Sequence, residues 1–267
     1  MDRILSLDGT PIAYCGQGDG ATVVLVGGAL STAATEGPLA ALLAHRFTVV
    51  TYDRRGRGGS GAGPGGPYTR DREIEDLAAV VGAADGPVAV FGMSSGGALA
   101  LEAQAAGVPM EVLAVFEPPY TPGGEGLSYK ARCTAELRER LAAGDRGGAV
   151  ELFLARTGVA PETVARMRRA PLWAGLEALA HTLEYDDILL GDGTPPLERF
   201  AAVTARTLIV SGGFSAGPVR ETAMALAEAI PDARHRTLSG QTRELSPQVL
   251  APVLSDFFTR RGLVPQP

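Results

Sequence analysis

The chain reads as an α/β protein: a doubly wound, mostly parallel sheet of about eight strands carrying one inserted helical segment. Three features predict this. Short apolar runs alternate with helix-period segments through most of the sequence, the order that lays helices over a parallel sheet. Several of the runs are continuously apolar, as strands buried on both faces require. The alternation stops between about residues 120 and 200, where only helical periodicities remain between Pro/Gly punctuators.

Apolar runs bounded by turn signals place strands at Arg3 to Leu7, Thr10 to Cys15, Thr22 to Val26, Phe47 to Tyr52, Val88 to Phe91, Val112 to Phe116, Thr207 to Val210 and Arg234 to Leu238. Helices are expected at Leu39 to Ala44, Arg72 to Gly82, Gly97 to Ala106, Arg220 to Ile230 and Pro247 to Arg261. The insertion opens with Pro118-Pro119 and Pro122-Gly123-Gly124 and closes with Gly191-Asp192-Gly193-Thr194-Pro195-Pro196. The expected division is a core of residues 1–119 and 201–267 around a helical cap of residues 120–200. Its last helix, near Leu172 to Leu190, carries Leu172, Leu176, Leu179 and Leu183 on one face and His181 on the other, near Tyr185 and Ile188. The Gly-rich segment Gly56 to Pro67 lacks the spacing of a P-loop or a dinucleotide fingerprint, so a surface loop is expected there.

Composition narrows the function classes. With 45% hydrophobic and 20% charged residues over 267 positions, and no apolar stretch of membrane-spanning length, a globular protein outside the membrane is expected. Met1-Asp2-Arg3-Ile4-Leu5-Ser6 has no basic region leading into a long apolar core, which points to the cytoplasm. A net charge of −6 argues against nucleic acid, since phosphate binding needs clustered cations. Arg54-Arg55-Arg57 reads as a structural loop motif and Arg166-Arg168-Arg169 as a solvated helix face. Cys15 and Cys133 have no metal-ligand spacing, so two free thiols, no metal and no cofactor are expected. Lys130 is the only lysine, so Schiff-base chemistry would depend on that one residue. The expected partner is a small molecule, bound by a monomer or homodimer.

The sharpest motif is Gly92-Met93-Ser94-Ser95-Gly96-Gly97, set between an apolar run and a helical stretch. A turn that sharp brings strand and helix backbones together, so small residues must flank a serine held exposed at its tip. That serine is Ser94.

With the turn Gly27-Gly28-Ala29, the run Asp53-Arg54-Arg55-Gly56-Arg57-Gly58-Gly59-Ser60 and the late helical insertion, this elbow resembles the α/β-hydrolase superfamily over essentially the whole chain. The resemblance implies Ser94 as nucleophile. It also implies an oxyanion site formed by the backbone N–H groups of Ser95 and of Ala29, beside Gly28. It further implies an acid after the seventh strand and a histidine after the eighth. Both positions depart. Ser211-Gly212-Gly213-Phe214-Ser215-Ala216 holds no carboxylate, and in Gly240-Gln241-Thr242-Arg243 an arginine stands where the resemblance calls for the base. Arginine stays protonated and cannot accept the serine proton. Losing the histidine of a working triad costs about a millionfold in turnover, roughly 8 kcal/mol of barrier.

Three readings follow. The first is an enzyme using the oxyanion site for non-hydrolytic cyclase, isomerase or lyase chemistry, with Arg243 as a fixed cation for an anionic group. The second is a serine esterase or lactonase whose base is relocated to His181 on the cap, with Glu117, which follows the sixth strand, as orienting acid or as the base itself. The third is a catalytically silent ligand-binding protein of the same fold. The expected substrate-contacting residues are Leu30, Met93, Tyr120, Trp173, Phe214 and Arg243.

Overall fold

A computed structural model of the chain describes residues 1–121, 123, 125–242 and 245–259, apart from the side chain of Glu125. Pro122, Gly124, Arg243, Glu244 and the residues from 260 onward, Arg261 among them, lie outside the described residues. The eight strands are β1 (Asp2–Leu5), β2 (Pro11–Gln17), β3 (Thr22–Val26), β4 (Thr48–Tyr52), β5 (Val88–Met93), β6 (Val112–Phe116), β7 (Arg206–Gly212) and β8 (Ala233–Leu238). They form one sheet in the order β1-β2-β4-β3-β5-β6-β7-β8. The β1–β2 and β2–β4 pairs are antiparallel and all others parallel.

Continuous apolar runs mark the central strands because both faces are covered. In β3, Val24 and Val26 enter one core while Val23 and Leu25 enter the other. The first core is completed by α2 (Arg70–Gly82), α3 (Ser95–Ala105) and α10 (Gly217–Ala229), through Leu77, Leu99 and Leu226. The second is completed by α1 (Gly37–Leu43) and α11 (Pro247–Thr259), through Leu43, Leu250 and Phe258. Helix starts follow local chemistry: Thr69 caps α2 by accepting the Arg72 N–H, and Asp71 and Glu73 sit in its first turn, where the helix dipole favours negative charge.

Between β6 and β7 lie α4 (Glu125–Ala142), α5 (Arg146–Arg156), α6 (Pro161–Met167), α7 (Leu172–Leu179), α8 (Leu183–Leu190) and the single turn α9 (Leu197–Phe200). The continuous helix expected over Leu172 to Leu190 is broken by a 3-10 turn at Ala180–Thr182. Of the expected leucine face, Leu176, Leu179 and Leu183 pack in one cluster, whereas Leu172, in the first turn of α7, is 52% exposed and Trp173 is buried. Trp173, Leu137, Val150, Leu154, Val164 and Leu183 form a small core within the insertion, joined from outside it, among the described residues, by Leu30 and the partly buried Ala29.

The segment after β4 ties these layers together. Asp53 accepts hydrogen bonds from the Ala33 N–H at 2.7 Å and the Gly59 N–H at 2.8 Å, closing the loop on itself. Arg54 pairs with Glu73 of α2 and, at 2.8 Å, with Asp186 of α8. Arg57 reaches the other Asp186 oxygen at 2.9 Å. The same two guanidiniums donate to the carbonyls of Gly27 and Gly28. Burial acts to raise the Asp186 pKa, but Arg57 and Arg54 beside it hold it below the usual carboxylate range. The Arg166-Arg168-Arg169 group is exposed, Arg168 pairing with Glu151.

Removing one partner of a buried ion cluster strands the others without compensation. Asp186→Ala is therefore expected to lower unfolding free energy by about 3–5 kcal/mol, measured by urea denaturation. Breaking the exposed Arg138–Glu184 pair with Arg138→Ala should cost no more than about 1 kcal/mol.

Candidate active site

The site is assembled from the ends of neighbouring parallel strands. Register aligns Met93 of β5 with Phe116 of β6, and Phe116 with Val210 of β7, so Ser94, Glu117 and the loop after Gly212 emerge side by side. Ser94 has φ 52° and ψ −121°, a conformation an L-residue adopts only when its surroundings enforce it. Enforcement comes from the Ser94 N–H, which donates to the Phe116 carbonyl at 2.8 Å, and from close backbone packing. A Cβ at Gly92 would lie 2.5 Å from both the Gly96 carbonyl oxygen and the Gly97 Cα, so strand and helix can approach only as they do.

Ser95 is the first residue of α3, and its N–H has no partner within the helix. The Ala29 N–H makes no hydrogen bond among the described residues. Gly28 lies against the elbow, where an added Cβ would stand 3.1 Å from the Met93 carbonyl oxygen and 3.2 Å from the Ser94 Cβ.

Two cavities meet at Ser94 and share Ala29, Phe153 and Thr157. The first, of about 230 Å³, runs under the helical insertion past Ser95, Glu117, Tyr120, Lys130, Arg156 and Asp187. The second, of about 380 Å³, runs past Gly28, Ser31, Glu36, Met93, Leu245 and Leu250, between the turn after β3 and the segment after β8.

Glu36, at the start of α1, was not singled out from the sequence. There Thr35-Glu36-Gly37-Pro38 reads only as an acidic residue before a helix, which carries no signal of chemistry. In the structure Glu36 is buried, and its carboxyl has no hydrogen bond or ion pair among the described residues. Burial alone pushes its pKa from the usual 4.5 up to about 7.

The sequence-derived residues divide. Ser94, Ser95, Gly28, Ala29, Met93, Glu117 and Tyr120 all line the two cavities. Glu117, at φ 45°, accepts the Gly212 N–H at 2.8 Å and the Ser215 O–H at 2.5 Å. Its carboxylate thus occupies the loop after β7, where no carboxylate exists in the sequence. Tyr120 has a buried hydroxyl without a partner among the described residues, and burial raises its pKa far above the ordinary phenol value.

Four expectations are corrected. His181 does not face Ser94: its Nε2 lies 3.1 Å from the Gly56 carbonyl and its ring packs edge-on to Tyr185, because the 3-10 turn directs it toward the loop after β4. Trp173 and Leu30 line neither cavity, since both are packed in the insertion's own core. Phe214 is 76% exposed and lines neither, its loop being turned outward with the Phe214 N–H on the Gln241 carbonyl. Arg243 lies outside the described residues. The other histidines are also elsewhere, His235 on β8 beside the Ser211 hydroxyl and His45 exposed before β4. Thus none of the chain's three histidines lines either cavity.

A strained serine between β5 and α3, under a helical insertion at the carboxyl edge of an eight-stranded sheet, defines the α/β-hydrolase class. Residues 23–253 match the model of the alpha/beta hydrolase family, and the chain belongs to that family. It is 50% identical to an alpha/beta hydrolase from Sphaerobacter thermophilus DSM 20745, covering 97% of this chain and 100% of that one with a TM-score of 0.87. The enol-lactonase from Burkholderia xenovorans LB400 shares the fold at 21% identity and a TM-score of 0.69, over 96% of this chain and 100% of that one. The N-formylmaleamate deformylase of Pseudomonas putida is 31% identical over 141 residues, 52% of this chain and 53% of that protein, so the match spans about half the length of that relative. Among the described residues no group of three or more His, Cys, Asp or Glu side chains could hold a metal ion, and no helix is long and apolar enough to cross a membrane.

The packing at the elbow gives a direct test. Gly92→Ala should destabilise by about 1–3 kcal/mol or more through backbone overlap. Gly175→Ala, in α7 with nothing within 4 Å of an added Cβ, should be neutral or stabilising by about 0.5–1 kcal/mol. Thermal unfolding of both variants distinguishes a crowded elbow from a general intolerance of the added methyl.

Proposed function

We propose that this protein is an enzyme of α/β-hydrolase fold that carries out non-hydrolytic, enolate-forming chemistry on a small carbonyl compound without a cofactor. One observation carries the reading: no histidine lines the cavities at Ser94, whereas an unpaired buried carboxyl, Glu36, does. A proton acceptor with a pKa near neutrality suits removal of a proton from carbon, while serine activation in this fold is the task of an imidazole.

In this reading the substrate carbonyl oxygen faces the N–H groups of Ser95 and Ala29, and the Ser94 hydroxyl donates to the same oxygen. The Glu36 carboxylate takes a proton from the adjacent carbon. The C–H electron pair becomes the C=C bond of an enolate, and the carbonyl oxygen takes the negative charge. Glu36, now protonated, returns the proton to a different carbon in isomerisation or to a departing group in elimination. Each oxyanion donor aimed at the developing charge is worth about 3 kcal/mol, and the α3 dipole adds to it at Ser95. Glu117 acts as a positioning residue, fixing the loop after β7 against the cavity.

Serine hydrolysis is the second reading, supported by the retained strain at Ser94. Its base would be Glu36 or Glu117, because His181 is engaged at Gly56.

The two readings separate with 4-oxo-4-phenylbutanoate, an aryl ketone with exchangeable hydrogens beside its carbonyl. The enolate reading expects deuterium incorporation from solvent at that carbon, followed by NMR. The rate should rise with pH through about 7 as Glu36 ionises, and Glu36→Gln should reduce it at least about hundredfold. Absence of exchange, together with rapid p-nitrophenyl acetate turnover through an acylated Ser94, would establish the hydrolase instead.

Glu36 also makes a prediction about stability. Its pKa is raised on folding, so its neutral form is favoured in the native state: the penalty is absent at pH 4, grows as pH rises from the usual 4.5 to about 7, and is constant above. Glu36→Gln should match the parent at pH 4 and exceed its stability at pH 8 by up to about 3 kcal/mol, read from urea unfolding at the two pH values.

A further inference from the structure

The wall of the first cavity formed by the insertion is unlike the rest. Lys130 of α4 and Arg156 of α5 both line it, and both are held by one carboxylate, Asp187 of α8. Arg156 donates to Asp187 Oδ1 at 2.9 Å, Lys130 lies 3.9 Å from the same oxygen, and Thr134 donates to Oδ2 at 2.7 Å. Asp187 is 1% exposed, whereas the Arg156 and Lys130 side chains retain 18% and 13% exposure. The carboxylate is therefore enclosed and spent on orienting two cations.

Lys130 uses a second donor on the Gly191 carbonyl at 2.8 Å. Arg156 makes no other hydrogen bond among the described residues, and its guanidinium lies over the Phe153 ring, 5.7 Å from the centroid, so N–H donors beyond the one on Asp187 are not engaged by other side chains there. Two positive charges against one negative leave this wall cationic.

Other charges on the cavity do not cancel it. Asp186 is neutralised from behind by Arg54 and Arg57, neither of which lines the cavity. Glu117 stands on the sheet wall, braced by the Gly212 amide and the Ser215 hydroxyl.

We infer that Lys130 and Arg156 form a carboxylate-binding subsite, and that the substrate is a small organic acid whose reacting carbonyl lies at Ser94 while its carboxylate reaches this pair. The inference rests on the proposed location of chemistry at Ser94 but not on its type. Arg156 supplies planar N–H donors matched to a carboxylate, and Lys130 adds a point charge. The arrangement also explains Asp187, which keeps the two like charges adjacent when no substrate is present.

Binding of 4-oxo-4-phenylbutanoate and of its primary amide, measured by calorimetry, isolates the charge because the two molecules share one shape. The acid is expected to bind at least about tenfold more tightly. That preference should fall to within about twofold in Lys130→Met and in Arg156→Gln and survive in Lys130→Arg. Should the Arg156 variant fail to fold, Lys130→Met and Lys130→Arg decide the matter. As a readout on the intact protein, reductive 13C-methylation labels only Lys130 and the amino terminus. The Lys130 resonance should move with the acid and not with the amide.

Equal binding of acid and amide, no binding of either, or a preference unchanged in Lys130→Met would overturn the subsite. Ser94→Ala should keep the preference while losing deuterium exchange. Absence of exchange in the unsubstituted protein, with acid selectivity intact, would count against the enolate reading alone and leave the subsite standing.

Discussion

Everything at the carboxyl edge of the sheet depends on two buried guanidiniums. Arg54 and Arg57 meet the two oxygens of Asp186 and, on their other sides, the carbonyls of Gly27 and Gly28. One contact set therefore fixes the position of the insertion and the path of the turn that carries Ala29. Desolvating such groups is costly, and the cost is tolerable only because each charge meets an opposite charge or a carbonyl dipole. The Ala29 amide and the cavity roof are consequently held by the same ions, so the separation between the candidate oxyanion site and the residues above it is set without reference to any ligand.

Around that constraint the candidate site draws its residues from different layers. The sheet supplies Ser94 and Glu117 at adjacent strand ends, where register leaves little freedom. The loop into α1 supplies Glu36, whose carboxyl lacks any compensating partner among the described residues. The insertion supplies Lys130 and Arg156, organised by Asp187. A buried acid without a partner is energetically unfavourable for folding, whereas the cation pair is stabilised by its own carboxylate. The contrast sets the uncompensated Glu36 apart from the compensated cation pair.

Much of the fold was legible in the sequence because parallel strands buried on both faces leave continuous apolar runs. β3 and β6 match their expected limits, and the order of strands and helices needed only turn signals between them. The elbow was legible for a related reason: backbone crowding at Gly92 and Gly96 restricts residue type locally. What failed was anything that depends on how separate segments face one another. The leucine spacing from Leu172 to Leu183 suggested one continuous helix; Leu176, Leu179 and Leu183 do pack together, but Leu172 is exposed with Trp173 buried, and a three-residue 3-10 turn breaks the helix at His181, which meets Gly56. Glu36 carried no sequence signal because its raised pKa arises from the packing of residues distant along the chain. Phe214 was assigned by position in a loop whose direction the sequence does not encode.

The insertion has a core of its own to which the rest of the described molecule contributes Leu30, with Ala29 packed against it. The insertion is also anchored below that core, by Tyr120, Leu189, Leu190 and Phe200, which enter the first core of the sheet, and by the ion pairs at Asp186. The wall around Lys130 and Arg156 belongs to α4 and α5, which, among the described residues, contribute no side chain to either core of the sheet, so substitutions there can reshape the cavity without disturbing the packing that holds the strands.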